Sequence, residues 1–340
     1  MSMQLLGTDS LADQKLSVRD LISIHPLTLP DIQLIFSLAR AMKHSPAQYA
    51  EALKGKALAL IFEKPSLRTR VTFDVGMTSM GGNAIFLDHS DAKLGERESI
   101  RDVARNLERW VHGIVARTYK NKSVVELAEH ACIPVINGLT DLLHPCQALT
   151  DYFTILEKFG SFEGLKFAYV GDGNNTCHSL IDGAVKLGVD LWIATPKGFE
   201  PKARVVTEAS KFAKESGATI NIVNDPVEAV RGASVVYTDV WASMGQEAET
   251  EDRAAVFADY RVDKELMSHA KKKAVFMHCL PAHRGYEVAP NVIDSSQSIV
   301  YDEAENRLHV QKAILYLLMK QDKFPVNKGG GAGGHTETEG

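Results

Sequence analysis

The sequence predicts an α/β protein of two domains. Each is a parallel, doubly wound sheet flanked by helices, and the C-terminal helix packs back on the N-terminal domain. Three observations predict this. Short stretches that are apolar nearly throughout recur along the 340 residues, as strands covered on both faces require. Segments of helical spacing lie between them, and such alternation argues for α/β layers. The run GLKFAYVGDGNN at 164–175 then starts a fresh strand–loop–helix unit halfway along the chain.

The first helix is read over 31–42, where Ile32, Ile35, Phe36, Ala39 and Met42 recur at helical spacing behind Pro30. Strands are expected at 57–62, 84–87, 113–116 and 133–136, and Ser99 with Asp102 opens a helix in the manner of a capping box. Farther on, strands are expected at 166–170, 190–194, 219–223, 235–238, 274–277 and 298–300. Helices cover 203–215 and 303–320, the latter through Ala304, Leu308, Ile314, Leu315 and Leu318. The domain break falls inside the helix after HPCQ, giving a first domain at 1–150 and a second at 151–322. Residues 323–340, Gly-rich and without an apolar anchor, read as a disordered tail.

Composition excludes several function classes. With 45% hydrophobic residues, 24% charged and a net charge of −5, the chain lacks the basic balance of a protein that lives on nucleic-acid phosphates. No window approaches 18 uninterrupted apolar residues and no basic amphipathic helix is evident, so no membrane partner is expected. The N-terminus lacks the pattern of a secretory signal, and Cys132, Cys146, Cys177 and Cys279 are scattered without a C-x-x-C pair. Both point to a cytoplasmic protein with free thiols. The 12 histidines form no short-spaced ligand set, so no metal is expected, and no cofactor.

The chemistry gathers at strand ends. FEKPSLRTR, residues 62–70, follows the strand KALALI, where a helix should begin. Ligands collect at the carboxyl ends of parallel strands, and opening helices offer unpaired N–H groups there. Ser66 and Thr69 supply hydroxyls, Leu67 a backbone N–H, and Arg68 a planar fork for two oxygens. Arg70, one residue too far along, is expected to brace the loop through a carboxylate. Arg117 ends the 113–116 strand, and His144-Pro145-Cys146-Gln147 follows the 133–136 strand. A solvated helix start with surface arginines is the bland alternative for Ser66–Arg70 taken alone; two further cationic or polar strand ends weigh against it. The pattern fits a phosphate cradle. The run GDGNN is not G-x-G-x-x-G, and the strand LWIATP ends without a ribose-binding acid, so a dinucleotide enzyme is disfavoured.

Six landmarks in order, FEKPSLRTR, HPCQ, GDGNN, DVWASMGQE, HCLP and EAENR, resemble those of the aspartate/ornithine carbamoyltransferase superfamily, closest to its ornithine branch, over about residues 15–322. The resemblance implies carbamoyl transfer from carbamoyl phosphate to the side-chain amine of L-ornithine, within arginine metabolism, by a homotrimer with sites at subunit boundaries. It implies that Ser66, Leu67, Arg68, Thr69, Arg117, His144, Pro145, Cys146 and Gln147 hold carbamoyl phosphate, joined by Cys279, Leu280 and Arg307. Asn175, Asp239, Ser243 and Met244 are implied for ornithine. Lys93 departs from the pattern, standing where relatives often carry glutamine or histidine. It either contacts the neighbouring subunit's phosphate or is solvated.

The chemistry assigns roles within that set. Arg117, His144 and Thr69 polarise the carbonyl, while Arg68 and Ser66 stabilise the departing phosphate. Asp239 orients the amine, and Cys279 can accept a hydrogen bond from it without forming a covalent intermediate. The alternatives are a carbamoyltransferase for acetylornithine or putrescine, or a non-catalytic paralogue.

Overall fold

The strand ends that matter come from two parallel sheets. In the computed structural model, which describes residues 5–7, 11, 14–90, 93–242 and 250–320, the first sheet holds β1 (Ala57–Phe62), β2 (Asn83–Asp88), β3 (Gly113–Arg117) and β4 (Val135–Leu139) in the order β2-β1-β3-β4. The second holds β5 (Lys166–Val170), β6 (Asp190–Ala194), β7 (Thr219–Val223), β8 (Val235–Thr238) and β9 (Val275–Met277) in the order β7-β6-β5-β8-β9. All pairings within these sheets are parallel. In each sheet the chain winds first one way and then the other. The winding reverses between β1 and β3 in the first and between β5 and β8 in the second, which opens a crevice at the strands' carboxyl ends.

The helices form for local reasons. In α1 (Leu29–His44) Thr28 caps the first turn, and the Asp31 carboxylate accepts from the Thr28 N–H at 2.8 Å. Pro30 lies inside the first turn, where its missing N–H costs nothing. α2 (Leu67–Thr78) begins directly after the β1 loop, and α3 (Ile100–Trp110) starts on Ser99, whose hydroxyl accepts from the Asp102 N–H at 3.1 Å. α4 (Asn121–His130) leads to β4. α5 (Pro145–Phe159) runs from the first sheet to the second and packs on α6 (Asn175–Leu187). α7 (Ala203–Ser216), α8 (Pro226–Val230), α9 (Thr250–Val256), α10 (Lys264–Ser268) and α11 (Pro290–Ile293) flank the second sheet or connect its strands. α12 (Val300–Met319) returns against α1, α2 and α5, burying Val310, Ile314, Leu315 and Leu318. Each buried aliphatic of this kind contributes about 1.5–3 kcal/mol.

Two strand expectations are corrected. Residues 298–300 form no strand: Ser298 makes an isolated bridge to Phe276, and α12 begins at Val300. The fourth strand is shifted from 133–136 to 135–139, because Pro134 has no N–H for a ladder and serves only as acceptor to Ile114. Among the described residues no helix is long and apolar enough to cross a membrane. Ser243, Met244 and residues 323–340 lie outside the described residues.

Candidate active site

The site is built where β1, β3 and β4 end. Ser66 is the N-cap of α2 with its hydroxyl unused for capping, and Leu67 opens the helix. Thr69 is buried and Arg68 half-buried, while Arg70 points elsewhere: its guanidinium stacks 3.7 Å above the Phe86 ring. Its charge also acts on the Asp88 carboxylate at the end of β2, whose pKa is lowered first by hydrogen bonds from Ser90 and further by Arg70, so the ring contact adds to a carboxylate neighbour. Arg117 ends β3 at a register shift between Ala116 and Arg117, an irregularity of the kind that re-aims a side chain. His144 is the N-cap of α5, and Pro145 fits the first turn. The backbone N–H of His144 donates to Ser179 Oγ at 2.8 Å, tying this loop to α6.

Arg307 closes the group from α12. It is 2% exposed and donates to Gln147 Oε1 from one side of its fork and to Thr69 Oγ1, at 3.2 Å, from the other. One guanidinium thus joins α2, α5 and α12. Burial, with Arg307 and Arg68 close by, pushes Arg117 down to about 10, so it remains a cation at neutral pH. His144 is held well below the usual imidazole range by burial and by Arg307, Arg117 and Arg68. Its ring is therefore neutral. These mutual effects put Arg68, Arg117, Arg307 and His144 within electrostatic reach of one another. Arg117 Nε, Arg307 Nε and His144 Nδ1 are buried there without a partner among the described residues. Clustered cations with unpaired buried donors are a site that an oxyanion stabilises.

The neighbouring wall comes from the second sheet. Asp239 follows β8; its Oδ2 accepts from Asn174 Nδ2 at 2.9 Å and its Oδ1 from the Val240 N–H at 2.8 Å. Cys279 Sγ donates to Asp239 Oδ1 at 3.0 Å. Burial, then the adjacent Asp239, Glu303 and Asp151, push the Cys279 thiol well above its ordinary value, so it is a protonated thiol and not a nucleophilic thiolate. Leu280 adopts a left-handed φ of 58°, which costs a leucine on the order of 1–2 kcal/mol. Its N–H donates to His278 Nδ1 at 2.8 Å, and His278 Nε2 meets Glu287 Oε1 at 3.2 Å. Asp239, His278 and Cys279 have donor atoms within 4.8 Å of one another. Since His278 spends both nitrogens inside the protein, that trio lacks an imidazole lone pair to offer a metal.

Other expected residues sit differently. Cys146 is fully buried against the Asn137 carbonyl at 3.5 Å, its thiol pushed up to about 12 by burial. Asn175 commits its amide to the Thr140 carbonyl at 2.6 Å and its oxygen to the Thr176 N–H. Lys93 is exposed, its ammonium 4.9 Å over the Tyr119 ring of its own chain, where Lys64 also stacks at 4.7 Å. Sequence reasoning missed Asn174, Asp151 and Glu303. Their signals were helical offsets: Asp151 is one turn past Gln147, and Glu303 one turn before Arg307. Gly173 is in GDGNN because a Cβ there would meet Pro201 N at 2.2 Å; the glycine serves a backbone contact.

Comparison with known proteins places these features. The family described as "Aspartate/ornithine carbamoyltransferase, carbamoyl-P binding domain" matches residues 19–157, and "Aspartate/ornithine carbamoyltransferase, Asp/Orn binding domain" matches 163–318. The chain is 52% identical over 303 residues, 88% of its length and 96% of the relative, to an ornithine carbamoyltransferase of Pyrococcus horikoshii. The solved ornithine carbamoyltransferase of Pyrococcus furiosus is 51% identical with a TM-score of 0.88, covering 91% of this chain and 100% of that one. A Giardia lamblia ornithine transcarbamoylase structure, 36% identical, gives 0.82 over 89% of this chain and 98% of its own.

Proposed function

The chain belongs to the aspartate/ornithine carbamoyltransferase family, and from that premise we infer that it transfers the carbamoyl group of carbamoyl phosphate to the side-chain amine of L-ornithine, giving L-citrulline and phosphate. The observation that carries this reading is the convergence of Arg68, Arg117 and Arg307 with a neutral His144, three of whose nitrogens are buried donors or acceptors without a partner among the described residues. Beside them stands a carboxylate, Asp239, suited to an amine.

In the reaction the amine nitrogen attacks the carbonyl carbon, the bond from that carbon to the phosphate oxygen breaks, and the amine loses a proton as phosphate departs. Charge builds on the carbonyl oxygen and on the leaving phosphate. Arg117, His144 and Thr69 serve the first; Arg68, Ser66 and the Leu67 N–H serve the second. Gln147 takes the carbamoyl NH2, Leu280 offers it a backbone acceptor, and Pro145 shapes the wall. Cys146 supports this wall from behind. Free ornithine has a lysine-like pKa of about 10.4, so the amine must shed its proton, and a dry pocket favours the neutral form. Asp239 then orients it and Cys279 accepts from it. Asn175, with Ser243 and Met244, takes the amino-acid head group, which requires Asn175 to exchange its Thr140 bond for substrate.

We further propose a cytoplasmic homotrimer that binds neither nucleic acid nor membrane. Leu67, Val71 and Val75 form an exposed apolar stripe along α2, and Ile85 is exposed on the edge strand β2, which supports self-association. Lys93 would leave Tyr119 to meet a neighbour's phosphate in that assembly. The domains are proposed at 1–150 and 151–322. A colorimetric citrulline assay with carbamoyl phosphate and ornithine, acetylornithine, putrescine or aspartate tests the function; turnover with ornithine alone is expected, and preference for another amine overturns it.

A further inference from the structure

Under the arginine cluster lies a pair of carboxyl groups that the chemistry above leaves unused. Asp151 on α5 and Glu303 on α12 are 0% and 1% exposed. Gln147 Nε2 donates to both, at 2.8 Å to Asp151 Oδ1 and 2.9 Å to Glu303 Oε1. The other Glu303 oxygen accepts from the His278 N–H at 3.0 Å. The two carboxyl groups also face each other within hydrogen-bond reach. Yet Asp151 Oδ2 makes no hydrogen bond of ordinary geometry among the described residues, and the buried Tyr237 hydroxyl beside Asp151 likewise makes none. Two dry carboxylates in contact do not both stay ionised. One proton held between the two carboxyl groups removes the repulsion, and Asp151 Oδ2 is the oxygen with room for it, because both Glu303 oxygens already accept N–H bonds.

We propose that Asp151 and Glu303 share one proton and act as a single positioning unit which, through Gln147, holds the Arg307 guanidinium against the carbamoyl-phosphate site. This rests on the reading of that site given above. Both amide hydrogens of Gln147 are taken by the pair, so its carbonyl oxygen must face Arg307, which donates to it. The far side of the Arg307 fork is held by Thr69. The pair carries one negative charge against the one positive charge of Arg307. Around it are Arg307 on α12, Tyr152 on α5, Tyr237 on β8, and His278 and Cys279 after β9. Loss of the shared proton at alkaline pH sets two charges against each other beneath Gln147 and loosens the chain of bonds.

The test uses the full-length protein and three variants. Asp151→Asn reproduces the protonated aspartate: its amide donates where the O–H did, and its oxygen still accepts from Gln147. Citrulline formation should stay within about threefold of wild type near neutral pH, since no hydrogen bond is lost. The alkaline decline of wild-type kcat/KM for carbamoyl phosphate should disappear in this variant. Glu303→Gln turns an N–H2 toward Gln147 or His278, both donors, and should be more impaired than Asp151→Asn. Asp151→Ala should lose about 10²-fold in kcat/KM for carbamoyl phosphate through misplacement of Arg307, with little change in the KM for ornithine. The proposal is overturned if Asp151→Asn is as impaired as Asp151→Ala, if it fails to melt cooperatively, if it keeps the alkaline decline, or if Glu303→Gln outperforms it. A wild-type protein that forms no citrulline would instead refute the functional reading itself.

Discussion

The two sheets reverse their winding in the same way, yet their crevices carry opposite chemistry. At the mouth of β1 and β3 the side chains are Arg68 and Arg117, joined by Arg307 and by a histidine held neutral. At the mouth of β5 and β8 they are Asn174, Asp239 and the protonated thiol of Cys279. In the first crevice Arg117 Nε, Arg307 Nε and His144 Nδ1 are buried without a partner among the described residues; in the second both Asp239 oxygens accept bonds from the protein, and Trp241 Nε1 is the nearby buried nitrogen without a partner among those residues. Topology therefore locates a ligand, and the charge of the loops selects which one. A cationic crevice beside an acidic one brings an anion and an amine together, as transfer between them requires.

Removing a cation should break the contrast most severely. Arg117→Ala is expected to lower kcat by about 10²–10³-fold, the cost of one donor aimed at developing charge; steady-state rates within tenfold of wild type would rule out the arginine mouth as the reacting centre. On the acidic side, Asp239→Asn should cost up to about 10²-fold in kcat/KM for ornithine, since a charge-assisted bond contributes roughly 1.5–3 kcal/mol. The KM for carbamoyl phosphate should hardly move, and parallel changes in both constants would merge the two crevices into one.

Cys279→Ser sharpens the comparison further. Because the thiol is protonated and donates to Asp239, turnover should survive, and mass spectra taken during turnover should reveal no carbamoylated enzyme. His144 tests the neutral state. Its folded pKa is depressed, so below the ordinary imidazole value of about 6.5 the unfolded chain binds a proton that the folded chain refuses, and stability falls as pH falls. In His144→Gln, urea unfolding at pH 5 and 7 should show a smaller acid loss than wild type. The smallest effect lies outside both crevices: Thr28→Ala, which removes the α1 cap, should cost about 1 kcal/mol in the same assay.

Legibility varied with the range of the interaction. β1, β5, β6, β7 and β8 were readable to the residue because each is a short apolar run ending in a loop. The stretch 298–300 looked the same, but it sits where α12 opens, and nothing local separates a three-residue strand from a helix start. Arg68, Arg117 and His144 were visible as polar residues at strand ends. Arg307 was reached only through the EAENR resemblance, and Asp151 and Glu303 not at all, since helical residues so far apart in sequence announce no contact.

By itself the sequence determined the parallel α/β layering, the strand ends that bear arginine and histidine, and the helix starts beside them, because these follow from periodicity, capping and covalent adjacency. Tertiary structure alone decided that α12 brings Arg307 between Thr69 and Gln147, that Asn174 rather than Asn175 holds Asp239, and that Asp151 meets Glu303. Burial among distant segments sets charge state and hydrogen-bond partner, and no local pattern encodes which segments those will be.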